Sequence, residues 1–185
     1  MIAGFTGTKH GMSQCQRDKF GSLMDGLAEY LHGFCHGDCI GADEQAHYVA
    51  FHIGLPIYIY PPNKSIYRSN IFTELSNLYR EGIFKAKFYD DGRSLFYGGS
   101  KMSGDNFKIG FYPEDEYLKR NRAIVKRSDI LIATPGQREE ILHSGTWSTV
   151  RYARKKGIPI WKIYPNGIVE TENKQVLNIQ LPLGI

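Results

Sequence analysis

Ser144–Pro159, SGTWSTVRYARKKGIP, read with the apolar run Asp129–Thr134 (DILIAT) just upstream, decides the fold. DILIAT is short, β-rich and almost uncharged, which suits a strand buried on both faces of a parallel sheet. A loop containing Pro135 and Gly136 follows, and Ser144-Gly145-Thr146 then opens a helix. Ser144 is placed to cap it, while Trp147, Val150 and Ala153 recur at spacings of three along one side. Arg154, Lys155 and Lys156 occupy the last turn, where cations suit the negative end of the helix dipole, and Gly157 stops it. Ile158–Tyr164 (IPIWKIY) reads as the next strand. Small hydroxyl residues and a glycine therefore stand at the helix N-terminus of a β-loop-α-β unit. Free amides and a positive dipole end suit a phosphate or another anion there. The same residues also suit a plain helix cap.

The start of the chain repeats the pattern. Ile2–Thr6 (IAGFT) is a strand candidate, followed by the turn Gly7-Thr8-Lys9-His10-Gly11, whose small residues let a ligand approach the backbone. Ser13, with Gln16 three residues on, forms a capping-box pattern for a helix ending near Gly33, with Phe20, Leu23, Leu27 and Leu31 inward. Gly33–Gly37 (GFCHG) is a short second strand, and Gly37-Asp38-Cys39-Ile40-Gly41-Ala42-Asp43 leads into a helix running to Gly54. Asp38 and Asp43 suit either a helix cap or a ribose hydroxyl. Pro56–Tyr60 is strand three, closed by Pro61-Pro62.

Between Asn63 and Tyr117 the pattern loosens. Phe72–Tyr79 is weakly helical, and Phe84–Tyr112 alternates aromatics with Gly, Asp and Ser as a hairpin or meander would, with turn signals at Asp90–Gly92 and Gly98-Gly99. Such an insertion, about 83–112, serves as a lid, an oligomer surface or decoration. Glu116–Ser128 returns to helical spacing with Leu118, Ile124 and Val125 inward, and Arg120, Asn121 and Arg122 as polar residues able to face a ligand. The tail from 165 to 185 holds one short strand candidate, Val176–Ile179.

A chain of 185 residues, 42% hydrophobic and 23% charged, is most simply one domain with one core, and neither disorder nor a membrane span is favoured. No apolar run approaches the roughly 20 residues that cross a bilayer, and no secretory pattern opens the chain. A cytoplasmic protein is expected. Three cysteines agree with a reducing compartment, and a net charge of +4 favours an anionic small ligand over a nucleic-acid-coating surface. Cys35 and His36 are adjacent on a strand and point to opposite faces, so no metal site is expected, nor any cofactor. Strands near 2–6, 34–36, 56–60, 129–134 and 159–163 alternate with helices, which argues a doubly wound α/β sheet of about five or more strands. Its ligands bind beyond the carboxyl ends of the strands, where GTKHG, GDCIGAD, YPPN and TPG…SGT converge.

Together FTGT, HGDCIGAD, the YPP turn, YLKRNRAIV and DILIATP…SGTWSTVRYARKKGIPI resemble the SLOG superfamily of Rossmann-like proteins. That group holds Smf-type DNA-processing proteins, cytokinin-activating LOG phosphoribohydrolases and ligand-sensing domains of antiphage systems. The likeness covers about 1–64 and 113–164, and is nearest to small stand-alone Smf-like members. It implies a pocket for a nucleotide or nucleotide-derived ligand such as AMP or an ADP-ribose derivative. The implied contacts are Gly7, Thr8 and Lys9 on one wall, Gly37, Asp38, Gly41, Ala42 and Asp43 on another, Arg122 from the RNR helix, and Thr134, Pro135, Ser144, Gly145, Thr146 and Trp147 around the phosphate.

One departure bears on chemistry. LOG enzymes carry a catalytic glutamate three residues after the glycine-threonine pair, and here Thr149 stands in that place. Threonine is no carboxylate base at neutral pH, and Glu139, Glu140, Asp38 and Asp43 are the substitutes to consider. Binding without turnover, as a sensor or sequestering protein, is the leading expectation. An N-glycosidic hydrolase is the second. A single-stranded-DNA-binding protein using Arg151, Arg154, Lys155 and Lys156 is the third. A homo-oligomer is expected from the aromatic insertion.

Overall fold

The computed structural model describes residues 1–99 and 106–173. Nine strands form one sheet in the order β4-β5-β6-β3-β2-β1-β7-β8-β9. The strands are β1 (Ile2–Gly7), β2 (Gly33–His36), β3 (Ile57–Ile59), β4 (Lys85–Phe88), β5 (Ser94–Gly99), β6 (Asn106–Phe111), β7 (Ile130–Thr134), β8 (Ile160–Ile163) and β9 (Val169–Glu172). The helices are α1 (Gln14–Leu27), α2 (Ala42–His52), α3 (Ile71–Arg80), α4 (Tyr117–Arg127) and α5 (Gly145–Lys156). The six strands from β6 through β8 run parallel, with antiparallel strands completing each side. The doubly wound α/β expectation holds.

The core explains why β7 reads as a continuous apolar run. Ile130 and Ile132 join Phe5, Phe20 and Phe34 in one cluster, while Leu131 and Ala133 join Trp147, Val150 and Ile160 in another. Alternate residues of one strand thus feed two hydrophobic layers. Gly4 is small for the same reason: a Cβ there would meet Ser128 Cβ at 3.0 Å and Ile124 Cγ2 at 3.3 Å, both presented by α4. The Ser13–Gln16 capping box forms, and Gly157 ends α5 at φ 72°.

The insertion is a meander, and its last strand pairs parallel with β3, so it widens the sheet. Asp90–Gly92 makes the β4–β5 turn, with Gly92 at φ 82°, whereas Gly98 and Gly99 lie within β5 rather than at a turn. Strand β9 was not expected. It pairs with β8, and Glu170 and Glu172 fasten it there, each taking a bond from Lys162. The strand candidate at Val176–Ile179 lies outside the described residues. Leu118 is exposed, against expectation, because the buried face of α4 runs through Arg120, Asn121, Ile124 and Val125. No described helix is long and apolar enough to cross a membrane.

Candidate functional site

The chain leaves β1 for β2 on one side, then returns to place β7 on the other, so strand order reverses between β1 and β7. Ligands of doubly wound sheets bind at such a reversal, beyond the carboxyl ends of the strands. A cavity of about 880 Å³ opens there. Gly7, Thr8 and Lys9 from the β1 loop line one side, and Ser144, Gly145, Thr146 and Trp147 from the start of α5 line the other. Lys64 and Tyr67, beyond β3, and Tyr117, at the start of α4, close it.

Two small residues bring the β1 loop close to α2. Gly41, at φ 88°, is the residue before α2, and a Cβ on it would overlap the backbone of Lys9. Ala42 donates its amide to the Thr8 carbonyl at 3.1 Å, and a Cβ on Gly7 would overlap the Ala42 methyl. Gly41 and Ala42 therefore shape the wall from behind.

At the opposite wall, Ser144 Oγ accepts from the Trp147 amide at 3.4 Å, as the capping reading expected. No acidic residue stands in the first turn of α5, so its positive end is left uncompensated by its own side chains. Thr149 is fully buried, and its hydroxyl donates to the Gly145 carbonyl at 2.9 Å. It faces the helix backbone and is absent from the cavity wall.

The carboxylates are spoken for. Asp38 is fully buried at φ 56°, accepting from Ser69 Oγ at 2.5 Å and Arg68 Nε at 3.1 Å. Burial pushes its carboxyl upward in pKa, opposed by these two partners. Asp43, the second residue of α2, accepts from the amides of Gly37 at 3.1 Å and Cys39 at 3.2 Å, and burial pushes it up to about 6 against the pull of Arg120. Neither caps α2, whose N-cap is Gly41 without a side-chain bond. The two aspartates hold the β2–α2 loop in shape. Glu140 is paired with Arg151 and Arg154, each at 3.2 Å. Glu116 does line the cavity, but its side chain is 70% exposed and lies 3.5 Å from Lys119.

Arg122 is not among the residues lining the cavity: it is exposed and lies over Tyr152 of α5, 5.8 Å from the ring centroid. Arg120 turns inward instead, 4% exposed, donating to the Gly37 carbonyl and to Cys39 Sγ at 3.3 Å. It also lies over the Tyr117 ring at 4.8 Å and has no acidic partner within ion-pair distance among the described residues. A signal for this existed, since Arg120 sits four residues before Ile124 and shares its face. Pro135 is occupied structurally, its carbonyl accepting from Gln16 Nε2 at 2.9 Å. Thr134 is buried beside Gly7, and its hydroxyl has no partner among the described residues.

His10, which stands in the first loop beside Lys9, lines the cavity, and so do Lys64, Tyr67, Tyr117 and His143, which were not singled out. Among the described residues no group of three or more His, Cys, Asp or Glu could hold a metal. His36 instead pairs with His47, Nε2 to Nδ1 at 3.1 Å, while its Nδ1 accepts from the Asp38 amide at 3.1 Å. That amide fixes the tautomer: the proton of His36 sits on Nε2 and is donated to His47.

No protein-family model matches the sequence, and no curated protein is detectably similar to it. Among solved structures, DNA processing protein A (DprA) from Streptococcus pneumoniae aligns over 87% of this chain at 16% identity and a TM-score of 0.55. The chain has the Rossmann-like fold found in DprA. It spans 49% of the length of DprA, so the likeness concerns about half of that protein and its fold alone. A structural-genomics target, TM1055, aligns over 86% of this chain and 71% of its own, at 12% identity and a TM-score of 0.49. The resemblance read from the loops is thus met at the level of fold.

Proposed function

We propose that the cavity binds a nucleotide or nucleotide-derived ligand, with its phosphate at the start of α5, and releases it unchanged. The observation that carries this reading is the uncompensated N-terminus of α5 facing Gly7, Thr8 and Lys9 across a cavity of about 880 Å³ at the strand-order reversal. Lys9, Lys64, His10 and His143 around the same cavity suit a ligand with more than one negative group. Tyr67, Ile40 and Pro62 offer apolar surface for a base.

The absence of turnover rests on the placement of carboxylates. Glycosidic cleavage needs a group that stabilises positive charge on the ribose. Thr149 occupies the place of the LOG glutamate, and Asp38 and Asp43 are buried in loop-holding bonds. Glu116 stands largely exposed at the cavity rim, 3.5 Å from Lys119. Isothermal titration with AMP, ADP-ribose and inorganic phosphate tests the reading, followed by chromatography of the recovered ligand. Binding with intact recovery supports it.

DNA binding is the second reading, favoured by the fold shared with DprA. The basic end of α5 gives it little: Arg151 is bonded to Glu140 and to the carbonyls of Ile141 and Leu142, and Arg154 is held by Glu140 and Glu172. Removing Lys155 and Lys156 should leave any DNA affinity unchanged on this account.

A further inference from the structure

The insertion carries a surface that the cavity does not use. One side of β4, β5 and β6 meets α3, where Phe72 packs edge-on against Phe96 at 5.7 Å and Phe111 at 5.0 Å. On the other side the strand register lines up two rows. Lys85 stands beside Tyr97, and Tyr97 beside Lys108. Two residues along, Lys87 stands beside Leu95, Leu95 beside Gly110, and Gly110 beside Tyr58. Residues two apart on a strand share a face, so both rows lie on one surface.

Among the described residues no helix covers that surface. The helices covering this side of the sheet, α4 and α5, lie over β1, β2, β7 and β8. Lys85, Lys87 and Lys108 are exposed, and Tyr97 is 37% exposed. Arg127, ending α4, lies 3.8 Å over the Tyr58 ring and adds a fourth cation at the border. The segments forming β3 to β6 contain no Asp or Glu, and among the described residues none of the three lysines has an acidic partner.

We propose that this sheet face binds single-stranded nucleic acid. An exposed aromatic ring between cations on a sheet face offers stacking to a base and charge to the phosphates on either side of it. Gly110 leaves the neighbouring position bare, giving a second base room to lie over Leu95. A duplex keeps its bases stacked internally and has no free base face for Tyr97. A second copy of this chain is disfavoured here, since its lysines would face these lysines. Most of the surface belongs to the insertion, with Tyr58 of β3 and Arg127 of α4 at its border, and it lies outside the cavity.

Fluorescence anisotropy with labelled oligothymidine and oligouridine, against a duplex of equal length, tests this at 50 and 200 mM salt. Both single strands should bind, and better than the duplex. Tyr97→Ala should weaken binding by roughly tenfold, and Tyr97→Phe should restore it. Lys85→Glu with Lys87→Glu should weaken binding further and flatten the salt dependence by about 0.7 in log–log slope per lost phosphate contact. AMP binding at the cavity should be unchanged in Tyr97→Ala, which separates this claim from the proposed ligand site. No single-strand binding at 50 mM salt, equal binding of the duplex, or full binding by both variants would overturn the assignment.

Discussion

The hydroxyl of Tyr117 fills the space that a β-carbon on Gly145 would need. Gly145 is therefore small for two reasons, one at the cavity and one against α4. The two are separable. Gly145→Ala should destabilise the protein by about 1–3 kcal/mol through overpacking against the Tyr117 ring. In a Tyr117→Ala background the same change should be neutral or stabilising, because alanine outranks glycine by about 1 kcal/mol within a helix. Urea denaturation of the four proteins gives the coupling, and an equal cost in both backgrounds would show that Tyr117 is not the constraint.

Asp38 tests loop-holding against chemistry. Asp38→Ala leaves Ser69 without its acceptor, takes from Arg68 one of its two carboxylate partners (Glu114 remains), and puts an alanine at φ 56°. The expected loss is about 2–4 kcal/mol. Asp38→Asn should cost less, since asparagine tolerates that backbone. A variant as stable as wild type that has nevertheless lost ligand would make Asp38 a ligand contact.

Burial pulls His47 down to about 4, and His36 also lies well below the usual histidine range. The unfolded chain, with ordinary histidines near 6.5, then binds more protons, so stability falls as pH drops from about 6.5 toward 4. Asp43, raised to about 6, and Asp38, also raised by burial, act in the opposite direction and reduce that fall. Each pH unit across which one histidine differs is worth about 1.4 kcal/mol. His47→Gln keeps an acceptor for His36 without a titrating ring, so its melting temperature should depend less on pH between 6.5 and 4.5. An unchanged slope would remove the pair from the account.

Much of this architecture was legible because it is local. The Ser13–Gln16 box, the Ser144 cap, the Gly157 stop and the two-sided β7 follow from neighbours within one or two turns. What was not legible depends on partners distant in sequence. Asp38 looked like a cap or a ribose contact, and only the approach of Arg68 and Ser69 makes it a structural carboxylate. Helical spacing sets Arg120 rather than Arg122 on the face of Ile124, but that it meets the Gly37 carbonyl depends on how α4 lies against the β2–α2 loop. Strand β9 was not expected, since what holds it is the meeting of Glu170 and Glu172 with Lys162 and Arg154 from other elements.

The most direct test of the central claim is native mass spectrometry of the protein after overnight incubation with AMP or ADP-ribose, with the released species read by chromatography. The account predicts one intact ligand per chain, displaced by excess inorganic phosphate and weakened by Lys9→Glu, with no free base formed. Free base accumulating over many turnovers, or no bound nucleotide at any concentration up to the millimolar range, would contradict it.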